Sequence, residues 1–178
     1  MSIGVRKLLL AAHLTCSVGW LGAVLAYIVM DLTVASSGDA QVVRGAWMGM
    51  GLVTSSVIVP LAIASLLTGI VIAAGTRWGL FRHWWVLISL ALTVFAVVVL
   101  VSEAGIIGRS AAIAADPATT IERVLTMPNT LPHSLGGLFV LLVIQVLNVF
   151  KPRGLTPYGW RRQQAEGSQL EPSQTPDR

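Results

Sequence analysis

One cysteine, Cys16, stands in a chain of 178 residues, so neither an internal disulfide nor a cysteine-rich metal site can form. Cys16 then reads as a small residue packed within a helix. Charge is scarce too: Asp, Glu, Lys and Arg together make up 11% of the chain, against about a quarter in soluble domains. Missing as well are GxSxG, a Walker A loop, HExxH and CxxC, and no two carboxylates fall inside the apolar runs. Hydrolytic and nucleotide chemistry therefore have no support in the sequence.

What fills the chain instead is apolar residues, 54% of the total, at a mean hydropathy of +0.76. They gather in four runs, residues 8–30, 52–74, 84–102 and 131–150, each near the roughly 20 residues that a spanning helix needs. None alternates as a barrel strand would. The expected fold is all-α, a polytopic bundle of four transmembrane helices in one domain over residues 1–153, followed by a tail at 154–178 that is disordered from about residue 167. Arg6 and Lys7 ahead of the first run resemble the start of a signal peptide, but the run is too long for one, and it is expected to be retained.

The basic residues near the helix ends are unevenly shared. Arg6, Lys7, Arg77, Arg82, Lys151, Arg153, Arg161 and Arg162 fall on one side; Arg44, Arg109 and Arg123 fall on the other, with Asp31, Asp39, Glu103, Asp116 and Glu122. The richer side is expected in the cytoplasm, with both termini there. The formal charge of +4 thus reflects topology and contact with anionic lipid, with no case for nucleic acid. Trp78, Trp84 and Trp85 suit the headgroup level. In the long outer connection, Asp116-Pro117 reads as an N-cap with Pro at N1, opening a short helix with Ile121, Val124 and Leu125 on one face. Thr15, Gly19 and Ala23 in the first run and Ser65 and Gly69 in the second form small-residue faces for packing within the bundle, in a homo-oligomer or with a membrane partner. Pro60 should bend the second helix.

Polar residues inside the runs carry the functional question. Counted at about 1.5 Å per residue from the cytoplasmic end, His13, Ser89 and Gln145 lie roughly 8 Å deep and Thr68 roughly 9 Å. The four form an inner polar layer, either hydrogen bonds that fix helix register or a site built on an intramembrane ionisable group. A second layer collects Asp31 at the end of the first helix, Thr54 and Ser55 at the start of the second, Glu103 at the end of the third and His133 opening the fourth. Asp31, Glu103 and His133 are candidate ligands for a divalent metal or carriers of a proton, or else solvated helix ends. His83 sits at the inner interface, where it meets headgroups or serves as a second ligand.

The stretches HLTCSVGWLGAVLAY, LLTG, GTRWGLFRHWWVLISLALT and KPRGLTPYGWRRQ together resemble a family of small four-helix bacterial integral membrane proteins, well represented in actinobacteria, whose domain has no assigned function. The likeness covers most of residues 6–163. It implies the bacterial plasma membrane and leaves activity open; members often carry Lys where this chain has Ser89. His13 followed by Trp20 is also similar to the first helix of membrane protoporphyrinogen oxidases and copper-resistance membrane proteins. That resemblance implies a haem or metal ligand at His13, although FRHWWVLISL lacks the lysine of the oxidases. His133 lies more than ~20 Å from His13 by helix rise and His83 roughly 8 Å shallower, so a haem b would take His13 with a weak or absent sixth ligand. Two expectations result: a non-enzymatic or accessory membrane component, and a small haem- or metal-binding redox protein using His13.

Overall fold

The computed structural model describes residues 2–76 and 79–168, with only the backbone at 166–168. The chain is all-α, with four helices long and apolar enough to cross a membrane, and is built as a multi-pass membrane protein. Helix α1 is Ile3–Ser36. After a tight turn, α2 (Ala40–Val53) runs through a π-helical turn (Thr54–Ile58) into α3 (Val59–Gly75) as one continuous rod. Helix α4 is Trp84–Ala115, α5 the short Ile121–Leu125, α6 Leu131–Phe150 and α7 Pro157–Ser168. The outward faces carry exposed Leu8, Val18, Leu25, Val98, Phe139 and Val149, a surface that only lipid can cover without cost.

Three of the helices are much longer than their apolar runs. At 34, 36 and 32 residues, α1, the α2–α3 rod and α4 reach about 50 Å, against a hydrocarbon core of about 30 Å. Hydropathy marks the immersed part alone, so the extra turns of α1, α2 and α4 escaped it. They pack on one another beyond the end of α6, around fully buried Val43, Trp47 and Met50, with Ala114 and Val124. Asp39 begins this region by capping α2, its carboxylate accepting from Gln41 N at 2.8 Å. Arg44 ends it: its guanidinium donates to the carbonyls of Ala114 (2.7 Å), Asp116 (3.0 Å) and Thr119, holding the end of α4 and the turn that follows it. Two expectations change accordingly. Asp116 closes α4 and turns the chain through Ala118 N at 2.9 Å, whereas Thr120 caps α5. Of the three residues expected on one face, Val124 is buried against the core, while Ile121 and Leu125 are exposed.

Pro60 acts through the π-turn. It has no N–H to give and its ring crowds the carbonyl four residues back; the chain widens just before it, Val59 N–H bonding to the Thr54 carbonyl five residues earlier. The small-residue faces pack α1 on α3 within one chain. A Cβ at Gly19 would stand 3.1 Å from Leu61, and one at Gly69 3.0 Å from the His13 ring. At the opposite face Gly51 brings α2 against Ala111 of α4.

The segment after α6 also departs from a loose tail. Lys151 takes the left-handed conformation (φ 45°), turning the chain back so that Trp84 N donates to Gly154 O at 3.3 Å and Thr156 N to Arg82 O at 3.0 Å. Thr156 Oγ1 donates to Phe81 O, His83 pairs with Leu155, and α7 follows. The expected disorder from residue 167 falls, past Ser168, outside the described residues. Trp84 is exposed as expected of a headgroup residue, but Trp85 is buried; Trp78 is outside the described residues.

Candidate functional site

Two cavities lie one above the other along the bundle, sharing Trp20 and Leu141 as the wall between them. The inner one, about 940 Å³, is lined by α1, α3, α4 and α6, within the range of small-molecule sites. It gathers the expected inner polar layer. His13, Ser89 and Gln145 line it, and Thr68 touches His13, Nδ1 to Oγ1, at 3.1 Å. The close α1–α3 approach at Gly69 sets the His13 ring, and α4 and α6 bring Ser89 and Gln145 to the same cavity.

His13 is held in a defined way. Its Nδ1 lies 3.0 Å from the Ser65 carbonyl, which can only accept, so Nδ1 carries the proton. In the neutral ring Nε2 is then a bare acceptor, and it has no hydrogen-bond partner among the described residues. Beside the ring, Ser17 Oγ and Ser65 Oγ lie 2.8 Å apart, fixing the register of α1 on α3. Across the cavity, Ser89 Oγ is buried without a hydrogen-bond partner among the described residues. Arg6 and Lys151 stand where the cavity meets the N-terminal end of α1 and the C-terminal end of α6, giving an apolar chamber with a basic rim. His83 does not line this cavity.

The outer layer is rearranged most. Asp31 does not end α1; it sits inside it with no exposed surface. Three donors converge on its carboxylate: Thr130 N on Oδ1 at 3.1 Å, Thr130 Oγ1 on Oδ2 at 3.1 Å and Ser134 Oγ on Oδ2 at 2.8 Å. Tyr27 Oη stands 2.7 Å from Thr130 Oγ1. Since the one proton of Thr130 goes to Asp31, Tyr27 donates to Thr130. Thr54 and Ser55 belong to the π-turn and Glu103 to the interior of α4 rather than to helix ends; His133 is in the first turn of α6 as expected. The outer cavity, about 350 Å³, is lined by Tyr27, Thr54, Glu103, Thr130, His133 and Ser134 among apolar residues. Among the described residues no three His, Cys, Asp or Glu side chains are grouped to hold a metal. Glu103 and His133 both line the outer cavity, while the Asp31 carboxylate is taken up by Thr130 and Ser134 at the start of α6. Tyr27, Thr130 and Ser134 were missed because their partner is about a hundred residues away in the chain; only the polar NTLPHS stretch hinted at them.

Comparison with protein-family models, curated proteins and solved structures finds no match to this chain.

Proposed function

We propose that this is an accessory protein of the bacterial plasma membrane that holds a haem b in its inner cavity through His13, with both termini in the cytoplasm. The observation that carries the reading is the Nδ1–H of His13 on the Ser65 carbonyl. Metal-ligating histidines donate their second ring nitrogen to such an acceptor, which fixes the tautomer and leaves Nε2 for the metal. The residues fit the group in other ways. Gly69 leaves the space the imidazole fills, since a Cβ there would crowd it. The apolar walls suit a macrocycle, and the basic rim of Arg6 and Lys151 suits its carboxylates. Haem supplies one-electron exchange when bound. His13 would be its only imidazole ligand, since no other histidine lines the cavity. Eight Lys or Arg residues on one side against three on the other support the orientation.

One observation favours a second reading, a cofactor-free accessory protein: the same bonds to Ser65 and Thr68, with Ser17 to Ser65, also lock α1 to α3. The absorption spectrum of protein purified from haem-replete membranes separates the two. A Soret band that His13→Ala abolishes and His133→Ala preserves supports the haem reading. A wild-type protein without a Soret band, or a band unchanged in His13→Ala, leaves His13 as a buried hydrogen bonder.

A further inference from the structure

The inner cavity leaves the outer one without a role, and its wall holds an anomaly. Three threonines inside the helices, Thr33, Thr68 and Thr93, return their hydroxyl to the carbonyls of Val29, Ala64 and Ser89 four residues back, at 2.7–2.9 Å. Thr54 does not. It is 1% exposed, its Oγ1 has no partner among the described residues, and it lines the outer cavity. Entering the π-turn, Thr54 N–H is shared between the Met50 and Gly51 carbonyls, and its hydroxyl bonds to neither. A buried hydroxyl without a partner is destabilising because its desolvation is not offset, and π-turns of this kind are frequent at functional sites.

We infer that the outer cavity binds a lipid-soluble ring compound bearing a carbonyl, a quinone headgroup in chemical class, with Thr54 Oγ–H donating to the carbonyl oxygen. Size, walls and access point the same way. At about 350 Å³ the cavity is at the lower end for small-molecule sites and matches a single ring. Trp20 and Tyr27 supply aromatic walls, which stack on a flat ring. On the α4–α6 side the cavity reaches Phe95, 58% exposed, and Gly136 and Gly137, where an added Cβ would meet nothing within 4 Å. The ring therefore enters sideways, from the bilayer. Tyr27, whose proton is committed to Thr130, presents only lone pairs, so it accepts from a ring hydroxyl if the reduced form binds.

The test is isothermal titration of decylubiquinone into the full-length protein in detergent, against empty micelles. Saturable binding near one per chain is expected. Thr54→Val, which keeps the shape and loses the hydroxyl, should weaken it ~3–10-fold, and Gly137→Leu, which fills open space, should abolish it with the helical circular dichroism unchanged. His13→Ala should bind as the wild type does, so this site can fail or stand apart from the haem reading. Heat no greater than that of micelles, or wild-type affinity in Gly137→Leu, overturns the site; wild-type affinity in Thr54→Val overturns the carbonyl class of ligand.

Discussion

Gly69 of α3 packs against the His13 imidazole of α1 so closely that a Cβ at position 69 would stand 3.0 Å from Cε1 and 3.5 Å from Nδ1. Backbone and ring are in contact, and the ring's bond to Ser65 O at 3.0 Å depends on that contact. Gly69→Ala should therefore push the ring off the Ser65 carbonyl and destabilise the bundle by about 1–3 kcal/mol through overpacking. Thermal unfolding in detergent reads the loss. Stability equal to wild type would mean that α1 and α3 separate freely and that the ring is not clamped.

Asp31 should be among the most sensitive polar positions. Asp31→Ala leaves Thr130 N–H and Thr130 O–H without their acceptor and Ser134 O–H with the Leu131 carbonyl alone, at a cost of about 1–3 kcal/mol. Asp31→Asn, which keeps one acceptor oxygen, should cost less, and Tyr27→Phe, losing one bond to Thr130, only about 0.5–1.5 kcal/mol. The order Ala, Asn, Phe in unfolding experiments is the expected result; a silent Asp31→Ala would contradict the convergence of donors.

Arg44 holds the end of α4 from α2 through three carbonyls. Its replacement by Ala should speed hydrogen exchange at the amides of 112–120, at a cost of about 1.5–3 kcal/mol for charge-assisted bonds. Exchange within α6 should not change. Equal protection at 112–120 in the variant would show that α5 packing alone secures the region.

Topology is tested with a phosphatase reporter. Inserted between exposed Pro117 and Ala118, it should be active outside the cytoplasm, and fused after Arg162 it should be inactive. The reverse pattern would invert the proposed orientation.

The sequence by itself determined the membrane class and the number of spans, because about 20 apolar residues in a row leave few alternatives to a lipid-immersed helix. It also placed His13, Thr68, Ser89 and Gln145 at one level of the bundle, since position along a helix follows from its rise. Tertiary structure decided what lies beside what. The extra turns of α1, α2 and α4 carry mixed composition and are stabilised by packing on one another around Trp47 and Met50, a contribution no local pattern shows. Asp31 reads in sequence as a solvated helix end; only the return of the chain at Thr130 and Ser134 brings it the donors that let it be buried. Thr54 reads as an N-terminal helix residue, and its unpartnered hydroxyl arises from a π-turn set by Pro60 and framed by the neighbouring helices. Rise along a helix is a property of the backbone, and a sequence specifies it directly; the rotation that aims a side chain into a cavity is fixed by close contacts such as Gly69 on His13, which exist only once the helices have packed.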